Sequence, residues 1–141
     1  MPSPIEDTNM TDLDGEAIIA KYCGQLGNRV RYDAGLSSTR IEELSCAVVL
    51  VNAFWSGPSM KTLVELANLL HEVDGSGRIE MIVCDTDHIP DLSIDPWRLH
   101  TLGGRGEIAW VCNGAVVARR HSSNDPDIRE TTRLLLRECD K

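Results

Sequence analysis

The hydrophobic positions of this chain change rhythm along its length, and each rhythm predicts an element. Ala47 to Val51 (AVVLV) is a short, nearly continuous apolar and β-branched run, as expected of a strand covered on both faces of a sheet. After Ser59 the period lengthens: Leu63, Leu66, Ala67, Leu70 and Val73 share one face of a helix. Arg78 to Asp85 (RIEMIVCD) supplies a second buried strand on Ile79, Met81, Ile82 and Val83. Glu107 to Cys112 and Ala115 to Arg120 flank Asn113-Gly114, a pair that accepts the positive φ of a tight hairpin turn.

The remaining stretches complete the order. Met1 to Met10, with Pro2 and Pro4, reads as a flexible leader. Thr11 or Asp12 caps a helix carrying Ile19, Tyr22, Cys23 and Leu26, stopped by Gly24 or Gly27. Asn28 to Tyr32 is a short strand, with Val30 and Tyr32 alternating against Arg29 and Arg31. Thr39-Arg40-Ile41-Glu42 has the spacing of a capping box and starts a short helix through Leu44. Asp74-Gly75-Ser76-Gly77 is a turn. Pro90, Pro96 and Gly103-Gly104 leave room only for a short helix around Asp95 to Leu102. Asp125-Pro126-Asp127 caps a closing helix with Ile128, Leu134, Leu135 and Leu136. The result is an α/β chain: a helix, three strand–helix units giving parallel pairs through right-handed crossovers, an antiparallel hairpin and a last helix.

The junction between the first buried strand and its helix is Trp55-Ser56-Gly57-Pro58-Ser59. It resembles the thioredoxin family, whose signature is a strand, a Trp-Cys-Gly-Pro-Cys turn and a long helix. Trp, Gly and Pro match; both cysteines are replaced by serine. From about Asn28 onward the element order is also similar to that family's. The resemblance implies a thioredoxin-like fold: a central mixed sheet of parallel β-α-β units, a C-terminal antiparallel hairpin and a closing helix, here with an extra N-terminal helix. The domains then read as a leader over residues 1–10, a helical extension over 11–27 and a thioredoxin-like domain over 28–141.

The resemblance also shows what is missing. A serine hydroxyl cannot carry out thiol–disulfide exchange, which needs a thiolate to attack and a sulfur to be attacked. The position of the family's cis-proline, before the hairpin's first strand, falls on Gly106, or on Arg105 in the neighbouring register. The family's buried acid at the end of the central strand is matched by the neutral Asn52. Taken residue by residue, Ser56 is an ordinary helix N-cap, and no histidine lies near enough in sequence to serve it as a base. Trp55 is either an exposed anchor for another protein or packed beneath a neighbouring loop.

Composition narrows the function classes. The 141 residues suit one compact core, and 14 Lys+Arg against 22 Asp+Glu give a net charge of -8. That balance disfavours nucleic acid, whose phosphates need a basic face. No apolar run approaches the roughly 20 residues of a bilayer span, and the acidic leader lacks a secretory signal, so the expected compartment is the cytoplasm. The five cysteines, Cys23, Cys46, Cys84, Cys112 and Cys139, form no C-x-x-C and read as reduced thiols rather than a disulfide framework or zinc cage. In the strand arrangement that the resemblance implies, Cys84 falls at the same end of the sheet as Ser56, and Cys46 and Cys112 fall at the opposite end on neighbouring antiparallel strands, where they could approach each other. Asp85, Asp87 and His88 read as a solvated loop rather than a metal site. Arg119-Arg120-His121 reads as protection of an exposed strand edge rather than a patch for an acidic partner.

The expectation is therefore a redox-inactive thioredoxin-like protein, with no catalytic residue, no cofactor and no metal. It would act as an adaptor or chaperone-type module, binding another protein or an extended peptide, not nucleic acid or membrane, through Trp55, Ser56, Gly57, Pro58, Ser59 and Gly106. The N-terminal helix would cover a sheet edge or mediate a homodimer. The alternatives are a thiol enzyme using a relocated Cys84, or a Cys-to-Ser variant of an active enzyme; a relocated thiol would need solvent access and a lowered pKa.

Overall fold

The computed structural model describes residues 15–101, 106–121 and 127–139. The leader, the Thr11 or Asp12 cap, Gly103-Gly104, Arg105 and the Asp125-Pro126 cap lie outside them. Helix α1 occupies residues 15–23 and passes at Gly24 into a tighter 3-10 stretch, Gly24–Arg29, broken at Gly27 by φ 58. The strands are β1 (Val30–Tyr32), β2 (Cys46–Asn52), β3 (Glu80–Asp85), β4 (Glu107–Cys112) and β5 (Ala115–Arg120); the long helices are α2 (Gly57–Val73) and α3 (Ile128–Cys139).

The five strands form one mixed sheet in the order β1-β3-β2-β4-β5. The β1–β3 and β2–β3 pairs are parallel; β2–β4 and β4–β5 are antiparallel. Every residue of β2 is buried, which explains its unbroken apolar run. One sheet face packs Val48, Leu50, Met81, Val83, Ile108 and Trp110 against Leu63, Leu66, Leu70 and Leu135 of α2 and α3, with Ile19 and Cys23 of α1 joining them. The other face packs Val49, Val51, Ile82, Cys84, Ala109 and Val111 under Leu36, Ile41, Leu44, Leu92 and Leu99. Each fully buried aliphatic side chain contributes about 1.5–3 kcal/mol, so the central strands anchor the fold.

Asn113 and Gly114 take φ 50 and 82, and the hairpin closes where the sequence predicts. Two helical expectations are corrected. Thr39 does not cap a helix: its hydroxyl donates to Asp33 Oδ2 at 2.7 Å, and only a 3-10 turn forms at Ile41–Glu43, without a side-chain cap. No helix forms over residues 95–101 either. Arg98 has φ 48, and the Leu99 amide turns back to the Leu92 carbonyl at 2.7 Å, burying both leucines. Tyr22, expected on the inner face of α1, is exposed.

Candidate functional site

The Trp55–Ser59 turn sits at the carboxyl end of β2. The Ser56 amide donates to the Ala53 carbonyl at 2.9 Å, closing a tight turn, and the Ser56 hydroxyl then accepts the Ser59 amide at 3.4 Å as the N-cap of α2. Pro58 in the first turn of the helix has no N–H that would be left without a partner there. Ser59 turns inward. Its hydroxyl accepts the Ala53 amide at 2.8 Å and donates to Asn52 Oδ1 at 2.7 Å, and both Ser59 and Asn52 are fully buried. The Asn52 amide nitrogen lies 3.7 Å from Met60 Sδ. At this end of the sheet the serine links strand to helix.

Trp55 points the other way and is 64% exposed. Its indole N–H donates to Asp87 Oδ2 at 3.0 Å. Asp87 is delivered by the exit of β3: the Thr86 amide donates to the Asn52 carbonyl at 2.9 Å, and the Asp87 amide donates to Asp85 Oδ1 at 2.9 Å. Asp85 also holds His88, Nδ1 to Oδ2, at 3.2 Å. The acidic loop therefore fixes the ring of Trp55, a role that no local pattern announces because the two residues lie 32 positions apart.

The six residues expected to line a groove divide into two groups. Trp55, Gly57 and Pro58 are exposed, whereas Ser56, Ser59 and Gly106 are buried. Gly106 has φ 86, and a Cβ there would stand 2.8 Å from Thr62 Cβ. It is a close approach of the start of β4 to α2, one helical turn below Pro58. Ser59 and Gly106 thus support the exposed rim and present no side chain to a partner.

Cys84 has none of the properties a relocated nucleophile needs. It is fully buried, its thiol lies 3.6 Å from the Leu50 carbonyl, and burial, with Asp33, Asp85 and Glu107 in the background, pushes its pKa strongly upward. Cys23 is likewise buried, and burial raises it to about 11. The basic stretch is also committed internally: Arg120 forks onto Asp127 at 2.8 and 2.6 Å, and Arg119 Nε donates to the Trp97 carbonyl at 2.8 Å.

The expectation that all five thiols are reduced is overturned at the opposite end of the sheet, where Cys46 and Cys139 form a disulfide. Cys46 opens β2, and Cys139 ends α3, 93 residues later. The packing of α3 across β4, with Leu135 buried and Trp110 Nε1 donating to Thr132 Oγ1 at 3.1 Å, carries Cys139 to that edge. Sequence spacing gave no sign of the pairing, because it depends on where the closing helix ends.

This strand order, with two helices and an N-terminal segment on one face, decides the architecture. The chain has a thioredoxin fold. It is similar to the thioredoxin of Trypanosoma brucei brucei, with a TM-score of 0.60 and 15% identity over 77% of this chain and 91% of that one. It is similar to mitochondrial thioredoxin 3 of Saccharomyces cerevisiae in its oxidised form, with a TM-score of 0.58 and 16% identity over 74% and 93%. A putative oxidoreductase with a thioredoxin fold aligns at a TM-score of 0.58 and 16% identity, covering 82% of this chain and 97% of that one. No protein-family model and no curated relative matches the sequence. At these identities the thioredoxin-fold likeness concerns architecture. Among the described residues no helix is long and apolar enough to cross a membrane.

Proposed function

We propose that this thioredoxin-fold chain is a protein-binding module of the adaptor or chaperone type. It holds an extended segment of another protein against the Trp55-Ser56-Gly57-Pro58 rim, with no thiol–disulfide exchange at that turn. The observation that carries the reading is Trp55: a large aromatic side chain, 64% exposed, whose orientation is fixed by Asp87. A ring already held in place loses little side-chain entropy on binding, and exposed tryptophans are frequent energetic anchors of interfaces. The chemistry of the turn supports the same view. Serine stands at both positions flanking Gly57-Pro58, and the Ser59 hydroxyl is used up by Ala53 and Asn52.

The compartment we assign is the cytoplasm, where a disulfide such as Cys46–Cys139 is a reversible rather than a permanent bond. Binding is tested on an array of extended peptides probed with the wild-type protein and with Trp55→Ala. The reading holds if peptides retained by the wild type are lost by the variant. It fails if both proteins retain the same peptides equally well.

A further inference from the structure

Three cysteines converge at the end of the sheet remote from the Trp55 turn. Cys46 and Cys112 are directly opposed across the antiparallel β2–β4 pair, and their side chains lie on the sheet face that α3 covers. Cys139, at the end of α3, is bonded to Cys46, and its sulfur is 3.7 Å from the sulfur of Cys112. The surrounding backbone is pinned: the Asn113 amide donates to the Ser45 carbonyl at 2.9 Å and the Gly114 amide to the Leu44 carbonyl at 2.8 Å. The two strand cysteines are therefore held side by side. Cys46 and Cys112 are each more than nine-tenths buried, whereas Cys139 is partly open to solvent.

We propose that Cys46, Cys112 and Cys139 form a thiol–disulfide exchange centre in which Cys139 is the shared sulfur and Cys46 and Cys112 alternate as its partner. In the internal step the Cys112 thiolate attacks Cys139 Sγ. A Cys112–Cys139 bond forms, the Cys46–Cys139 bond breaks, and its electron pair leaves on Cys46 Sγ, which takes a proton from water. One disulfide and one thiol are present before and after, so no oxidant or reductant is consumed. A low-molecular-weight thiol enters by the same chemistry. Its thiolate attacks the accessible Cys139 Sγ and displaces Cys46, and Cys112 then attacks Cys139, expelling the small thiol. Geometry supports this assignment, because Cys139 Sγ is the disulfide sulfur open to solvent and stands 3.7 Å from Cys112 Sγ, within reach of both an external and an internal thiol. This centre is independent of the peptide-binding rim, which lies at the other end of β2.

The test uses the full-length protein equilibrated in mixed reduced and oxidised glutathione, quenched with acid, alkylated and mapped by mass spectrometry without reduction. The wild-type digest decides. Both Cys46–Cys139 and Cys112–Cys139 peptides are expected, and a digest holding Cys46–Cys139 alone overturns the proposal. The variants give a second reading where circular dichroism shows them folded. Cys46→Ser should contain the Cys112–Cys139 bond, and adding Cys112→Ser should raise the glutathione adduct on Cys139 at least about tenfold, since a positioned internal thiol outcompetes millimolar external thiol. Equal adduct levels in the two variants would also defeat the idea.

Discussion

The two ends of β2 make opposite use of small side chains carrying oxygen or sulfur. At the carboxyl end, Ser56 caps α2 and Ser59 bridges Ala53 and Asn52, so each hydroxyl is spent on holding strand to helix. At the amino end, Cys46, Cys112 and Cys139 meet with more sulfurs than one disulfide can use. The first end has the Trp55–Ser59 turn, which carries serine oxygens and no sulfur of its own. The second has sulfur but no motif. The comparison teaches that reactive chemistry in this fold follows the convergence of side chains, which a turn signature does not guarantee.

The largest expected effect sets the two strand cysteines against their shared partner. Cys139→Ser removes every disulfide link to α3 and, from the loop entropy of a 93-residue separation, should cost about 4–5 kcal/mol. Cys46→Ser should cost only about 1 kcal/mol, because Cys112 can still close a shorter loop to Cys139, 27 residues away. Urea denaturation in an oxidising buffer measures both; equal losses would break the contrast between the ends.

The buried thiols outside the cluster predict a fall in stability at alkaline pH. The native state holds Cys23 at about 11, above its ordinary value of 9.0. Between those limits the unfolded chain has released a proton that the folded chain keeps. Folding is then opposed as pH rises, and stability that is intact below pH 9 declines by about 1.4 kcal/mol per pH unit. Cys84, also raised by burial, adds a loss of the same sign. Urea titrations from pH 8 to 11 should show this slope, shallower in Cys23→Ala whatever that variant's starting stability.

At the turn end the serines should separate by burial. Ser59→Ala leaves the Ala53 amide and Asn52 Oδ1 without their partner and should cost about 1–3 kcal/mol. Ser56→Ala removes an N-cap, at about 1 kcal/mol. Thermal melts of the two variants give the order, and a larger loss for Ser56 would contradict the role given to Ser59. The smallest effect on stability belongs to Trp55→Ala, within about 0.5 kcal/mol for a side chain so exposed. Its melting temperature should hardly move while peptide retention is lost.

Much of the fold was legible because it depends on short-range pattern. The apolar run of β2, the helical period of α2 and the Asn113-Gly114 turn each place an element by local chemistry, and the structure puts all three where the pattern does. The failures were also local patterns, outbid by distant partners. Thr39 has the spacing of a capping box, yet its hydroxyl goes to Asp33. Residues 95–101 fold back through Leu92 and Leu99 into the core on the sheet face opposite α2 and α3 rather than continue as a helix. At the candidate site, the sequence pointed to the Trp55–Ser59 turn and to Ser56 as N-cap, and the structure leaves Trp55, Gly57 and Pro58 exposed there. Nothing in it told that Ser59 and Gly106 face inward, or that Asp87 holds the indole.

The sequence by itself determined the strand–turn–helix junction, the hairpin and the absence of sulfur at the turn, because each follows from residue type within a few positions of chain. Cys46 and Cys112 were expected at one end of the sheet, but only the tertiary structure decided that Cys139 joins them and bonds to Cys46. Cys46, Cys112 and Cys139 belong to three elements, and their proximity depends on sheet register and on the angle at which α3 crosses β4. These are fixed by the packing of Trp110, Thr132 and Leu135, contacts that sum over the whole core and leave no mark on the spacing of the cysteines.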